Sequence, residues 1–163
     1  MIELRVERVG FDLENQQAVI ILKEADGDRL LPIWVGALEG NSVAMMVEGL
    51  QAPRPMTHDL MKNLLDLFSV TVTMVFIDDL RDGTFFAQIT MKVGEETKEM
   101  DSRPSDAVAL AMRAKAPIYV SEMVLEAAGI RPKEGEEDGG EQDGDEGESE
   151  DEGGGAGRPP QTH

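Results

Sequence analysis

Residues 70–93 constrain the fold most. Val70, Val72, Met74 and Phe76 alternate into Asp78-Asp79, Asp82-Gly83 follows, and Phe85, Ala87, Ile89, Met91 and Val93 alternate back out. A period of two is the signature of a strand with one apolar face, and Asp-Gly between two such runs is a tight hairpin turn. A two-residue link pairs its strands antiparallel, so the chain must build at least part of its core on an antiparallel sheet.

The same grammar appears earlier. Ile2, Leu4 and Val6 alternate with Glu3, Arg5 and Glu7, and Ala18 to Leu22 is a continuous apolar run expected of an inner strand. Asp26-Gly27 turns into Leu30-Leu31-Pro32-Ile33-Trp34-Val35, where Pro32 predicts an edge strand because it has no N–H for a ladder. Val43, Met46, Val47 and Leu50 follow helical spacing, ended by Gly49 and Pro53. Thr57 is expected to cap a second helix whose Leu60, Leu64, Leu67 and Phe68 form an apolar stripe for the core. After the 70–93 hairpin, a short strand ends near Asp101. Residues 107–114 read as the most buried helix, apolar but for Arg113, Pro117 to Val120 reads as a last strand, and Ser121 caps a short helix ended by Gly129. Residues 2–50 and 70–115 thus both run strand, strand, strand, helix. The expected class is α+β: a duplicated βββα unit with a mostly antiparallel sheet.

The 163 residues suffice for one well-cored domain. The absence of cysteine excludes disulfides and thiolate metal sites, leaving oxygen and imidazole as metal ligands. The start lacks the basic-then-apolar layout of a signal peptide, and no apolar run approaches the roughly 20 residues of a membrane helix, so a soluble cytoplasmic protein is expected. The net charge of −18 divides evenly, because residues 1–130 hold 12 Lys/Arg against 21 Asp/Glu and residues 131–163 hold 3 against 12. The latter segment, made largely of Glu, Asp and Gly, is expected to be a disordered acidic tail beyond a folded domain at 1–130. Such a tail is either a solubilising appendage or a competitor for cationic surface.

Two segments carry most of the candidate chemistry. Arg54-Pro55-Met56-Thr57-His58-Asp59-Leu60 and Asp101-Ser102-Arg103-Pro104-Ser105-Asp106-Ala107 each put Arg-Pro ahead of a hydroxyl, an acid and a helical run. Free N–H groups and partial positive charge at a helix start suit anions, and a guanidinium adds to that. His58 is the one histidine before the tail and hence the sole candidate imidazole base there; alternatively it is a first-turn residue with no chemical task. Asp59 either orients it or complements the helix dipole. Glu39, Asp101 and Asp106 offer the oxygen ligands that magnesium or manganese prefers, or serve only as a loop acid, a strand end and a first-turn acid. Arg54 and Arg103 either clamp phosphate or pair with these carboxylates. Asp78, Asp79 and Asp82 read as turn chemistry. Trp34 reads as core in preference to a base-stacking platform. No Walker loop, dinucleotide glycine fingerprint, Gly-x-Ser-x-Gly elbow or His-Glu-x-x-His occurs.

Over about residues 2–130 the chain resembles the bifunctional nuclease domain family, through Leu31-Pro32-Ile33-Trp34-Val35-Gly36, the two Arg-Pro segments, Leu80-Arg81-Asp82-Gly83-Thr84-Phe85-Phe86-Ala87 and Pro117-Ile118-Tyr119-Val120. The resemblance implies a compact α+β domain, dimeric, with nuclease activity on DNA and RNA. Glu39 matches the acid that follows the family's Trp-Ile-Gly strand. The chain departs at Gly40-Asn41-Ser42, where members are richer in Ala, and at Phe86, where Tyr is usual.

Two functions follow as expectations. One is a metal-assisted phosphodiesterase in which Glu39, Asp101 and Asp106 hold magnesium or manganese, His58 moves a proton with Asp59 behind it, and Arg54 and Arg103 steady the charge on phosphorus. The other is a non-catalytic dimeric module that binds a small anion or a protein partner, which the negative charge of the folded part favours.

Overall fold

The structure, a computed structural model, describes residues 1–132. Seven strands, β1 (Ile2–Asp12), β2 (Gln17–Glu24), β3 (Leu30–Gly36), β4 (Val70–Arg81), β5 (Thr84–Val93), β6 (Glu96–Ser102) and β7 (Ile118–Val120), join in one sheet in the order β3-β2-β1-β7-β4-β5-β6. Four helices accompany them: α1 (Ala37–Val47), α2 (Thr57–Leu67), α3 (Pro104–Ala114) and α4 (Glu122–Ala128). The α+β class and the antiparallel pairing agree with the sequence, and three strands followed by a helix do occur twice, from Ile2 to Val47 and from Val70 to Ala114. The acidic tail expected from residue 131 lies, from residue 133 onward, outside the described residues.

The β4–β5 hairpin runs in register from Val70↔Val93 to Arg81↔Thr84. Its turn residues, Asp82 and Gly83, both have positive φ, +50° and +76°, the backbone a twist-matched two-residue turn requires. Pro32 lies on an edge strand, as its missing N–H demands. The short β7 is instead central. It pairs antiparallel with β1 and parallel with β4, and so joins the two three-stranded meanders into one sheet.

Helix α3 carries the core. Ala107 through Ala111 are fully buried, and α3 lies against β4 and β5 while touching α1 and α2. Ser121 caps α4 by accepting the Val124 N–H at 3.2 Å. Helix α2 differs from expectation twice. Its first turn is held by Asp59, which accepts the Met56 N–H at 2.9 Å, and Thr57 is already helical. Its stripe of Leu60, Leu64, Leu67 and Phe68 is exposed, while Met61 and Leu65 pack on the core. Two apolar faces share this helix, and periodicity alone did not say which would turn inward. Trp34 is likewise 59% exposed rather than core, since in an alternating strand it takes the face opposite the buried Ile33. Among the described residues no helix is long and apolar enough to cross a membrane.

Helix α1 approaches β2 closely because residue 40 has no side chain. A Cβ on Gly40 would lie 2.3 Å from the Cβ of Ala18, which is fully buried. Replacing a helical glycine by alanine ordinarily gains about 1 kcal/mol, whereas overpacking a tight contact costs about 1–3 kcal/mol. Gly40→Ala should therefore lower the urea midpoint, with a net destabilisation of about 1 kcal/mol. A raised midpoint would mean that α1 can back away from the sheet freely.

Candidate functional site

Three helices bring their first halves together. Pro104 at the first position of α3 fixes its φ and has no N–H to lose, so the helix begins immediately after Arg103 and turns Asp106 toward α2. In α2, His58 is the buried residue of an otherwise open first turn. In α1, Ser42 sits beside Val43 and Ala44 on the buried face.

These three side chains form a chain of hydrogen bonds. Ser42 Oγ lies 2.8 Å from His58 Nδ1, and His58 Nε2 lies 3.0 Å from Asp106 Oδ1. Ser42 and His58 are both more than nine-tenths buried. Burial pushes the Asp106 carboxyl upward, but the hydrogen bonds from Arg103 and from His58 outweigh it and hold the group below the usual carboxylate range. An ionised carboxylate can only accept, so in the neutral imidazole Nε2 carries the hydrogen. Nδ1 is then the acceptor, and the Ser42 hydroxyl donates to it.

Arg103 closes the arrangement. Its Nε donates to Asp106 Oδ2 at 2.6 Å, one terminal nitrogen to Asp106 Oδ1 at 3.1 Å, and the other to Glu39 Oε1 at 3.0 Å. Its side chain remains 65% exposed, so the guanidinium is both anchored and open to solvent. Two hollows meet at this residue. One, of about 300 Å³, is lined by Leu38, Ser42, Met56, His58 and Asp106; the other, of about 330 Å³, lies toward Trp34, Gly83 and Phe85; Glu39 and Arg103 border both.

The remaining expected residues are elsewhere. Asp59 makes no hydrogen bond to His58: its Oδ1 accepts from Arg113 Nε at 2.5 Å and its Oδ2 caps Met56. Arg113 is almost fully buried and also donates to the Ala109 and Ser42 carbonyls at 2.9 and 3.3 Å, tying α3 to α1. Arg54 is exposed and borders a separate hollow with Asp59 and Arg113. Asp101 is exposed on β6, opposite Gln88. The oxygen set for a divalent ion therefore does not assemble as the side chains stand. Arg103 lies between Glu39 and Asp106, Asp101 is apart, and among the described residues no three His, Asp or Glu side chains form a group that could hold a metal. At the hairpin tip, Asp79 accepts the Leu80 N–H and the Arg81 guanidinium, in keeping with turn chemistry.

Two residues of this site have no role in the sequence reading. Ser42 is a lone hydroxyl beside the apolar Val43-Ala44 pair, and Arg113 is the one charge in the apolar run of α3. Arg113 is a charge where burial was expected, and that conflict is the signal that marks it; Ser42 stands outside the expected apolar spacing and has no such mark.

The pair Asp59–Arg113 yields a stability prediction. The Arg113 hydrogen bond and the Met56 N–H hold the Asp59 carboxyl below its ordinary value of 3.8. A depressed folded-state pKa adds stability that is complete above the unfolded value and disappears as pH falls through the folded one. Asp59→Ala should destabilise by about 3 kcal/mol at pH 7, because it strands a buried guanidinium. The deficit relative to the native chain should shrink as pH drops below about 4. A deficit that stays constant in urea titrations from pH 7 to pH 3 would show that the pair contributes nothing through charge.

Comparison with known proteins places the sequence in a family. Residues 20–133 match the family model described as the bifunctional nuclease domain. An uncharacterized protein of Mycobacterium tuberculosis (strain H37Rv) is 40% identical over 137 residues, covering 83% of this chain and 82% of its own. Bifunctional nuclease 2 of Oryza sativa subsp. japonica is 35% identical over 124 residues, 72% of this chain and 38% of its own. Bifunctional nuclease 1 of Arabidopsis thaliana is 36% identical over 118 residues, 69% of this chain and 36% of its own. This chain thus spans little more than a third of those plant proteins.

Proposed function

We propose, since this chain belongs to the bifunctional nuclease domain family, that it hydrolyses phosphodiester bonds of DNA or RNA in the hollow lined by Ser42, His58 and Asp106. The observation that carries the reading is that both nitrogens of His58 are engaged, Nδ1 with a hydroxyl and Nε2 with a carboxylate held ionised. An imidazole bound in this way is placed to take the Ser42 proton. The Ser42 oxygen attacks phosphorus, its proton passes to His58 Nδ1, and Asp106 stabilises the imidazolium. The P–O bond to the leaving nucleoside breaks and its oxygen takes the proton back from Nδ1. Water then attacks the phosphorus of the phosphoserine and gives its proton to the same nitrogen; the Ser42 Oγ–P bond breaks, and Oγ takes that proton back from Nδ1, which restores both side chains. Arg103, anchored by two carboxylates yet open on its outer side, offers charge and hydrogen bonds to the phosphate oxygens.

Ser42→Ala, His58→Ala and Asp106→Asn should each lower kcat by about 10²–10⁴-fold on single-stranded or duplex substrate, with protein freed of contaminating nuclease. Asp101→Ala should cleave normally, and EDTA should leave the rate unchanged, because no step assigned here passes through a metal. Retained activity in both Ser42→Ala and His58→Ala rejects this site. Loss of activity in EDTA would transfer the charge-stabilising task from Arg103 to a cation.

The exposed face of α2 supports a homodimer within the same proposal. Leu60, Leu64, Leu67 and Phe68 form an unbroken apolar row, and monomers seldom leave such a row wet. An antiparallel pairing about Leu64 sets Leu60 of each copy against Phe68 of the other, which is the self-complementarity a two-fold axis requires. Sedimentation should give a dimer that Leu64→Glu converts to monomer. An unchanged sedimentation coefficient in that variant would discard the interface.

A further inference from the structure

The second hollow has no part in the chemistry above. It opens on the far side of Arg103 and Glu39, with a volume of about 330 Å³, at the low end of the roughly 300–1,000 Å³ of small-ligand sites. Its walls are the end of β3, the β4–β5 turn and the start of α3, and its aromatic groups are Trp34 and Phe85. Gly36 and Gly83 leave its rim without side chains there. Phe85 is half-buried and Trp34 is 59% exposed, an arrangement that presents one wet indole beside one fixed ring.

An indole surface of this size left in water on an edge strand is a cost unless something covers it. The only group the two hollows share besides Glu39 is a guanidinium, which suits an anion between them. A ligand filling both would carry a flat apolar ring on one side and a phosphodiester at Arg103. Charge adds a separate argument. Residues 1–130 hold 12 Lys/Arg against 21 Asp/Glu, so phosphate contacts and counterion release cannot supply most of the affinity. Stacking is the contribution left, at about 1–3 kcal/mol per base, and it is indifferent to the net charge of the protein.

We propose that this hollow is a nucleobase subsite in which Trp34 stacks on an unpaired base and so delivers the adjoining phosphate to Arg103. The inference rests on the nuclease reading and narrows it to single-stranded substrate. A base in a duplex is already stacked and paired, and must leave the helix to reach the indole. Stacking also makes the subsite tolerant of base identity, since every base has a π-face.

Trp34 is the chain's single tryptophan, so its fluorescence reports this hollow alone. The test titrates the full chain with a phosphorothioate-linked oligothymidylate, with the same oligomer as a duplex, and with an abasic oligomer of equal length. The thymidylate should quench Trp34 saturably, and both controls should bind at least tenfold more weakly. Trp34→Ala, at an exposed position, should raise KM for single-stranded cleavage about tenfold with kcat unchanged, and Trp34→Phe should restore most of the loss. Equal affinity for abasic and base-bearing oligomers, or normal KM in Trp34→Ala, overturns the subsite while leaving cleavage and the nuclease reading intact. A Trp34→Ala chain that changes its sedimentation but not its KM also overturns it, by making the indole a protein contact. Absence of cleavage on every substrate, by contrast, removes the nuclease reading itself, and quenching by oligothymidylate in that case would still support base binding.

Discussion

The hydrogen-bonded run from Ser42 through His58 and Asp106 to Arg103 ties together three helices that come from distant parts of the chain. A buried imidazole tolerates this position only because both of its nitrogens have partners, and the state of one partner fixes the role of the other. Arg103 reinforces that state. Its hydrogen bonds, with that of His58, hold the Asp106 carboxyl below the usual carboxylate range against the upward push of burial, and an ionised Asp106 can only accept from Nε2. The guanidinium also fixes the carboxylate in place between α2 and Glu39.

The sheet is what brings these helices into reach. The central β7, only three residues long, pairs with β1 on one side and β4 on the other, so that the two meanders lie side by side under their helices. Helix α3 follows the second meander and is buried from Ala107 to Ala111, while α1 follows the first and closes on β2 through the missing side chain of Gly40. Arg113 then locks α3 to α1 and α2 from below, through Asp59 and the Ser42 carbonyl. Of the two tasks the sequence offered Asp59, support of the histidine or a first-turn acid, the structure shows it in the first turn of α2, bonded to Met56 N–H and Arg113.

The carboxylates repartition along similar lines. Glu39 and Asp106 do meet, as their positions after β3 and β6 suggest, but they meet around an arginine. A guanidinium presents donors to several oxygens at once, so it satisfies acids that would otherwise gather about a cation. Asp101, two residues before Arg103 on a strand, cannot join them without leaving its ladder with Gln88.

The elements and much of their order are legible in the sequence: the Asp82-Gly83 hairpin, the edge position of Pro32, the buried run of α3, and the place of each Arg-Pro segment at a helix start. These depend on neighbours a few residues away, through period, turn residues and missing N–H groups, and so are written locally. It took packing in three dimensions to turn Trp34 and the Leu60–Phe68 row outward, to give Asp59 to Arg113, and to let Ser42 complete the histidine's pair of bonds. Those outcomes depend on which of two apolar faces meets the sheet and on which opposite charge lies nearest across space, and no local pattern encodes either.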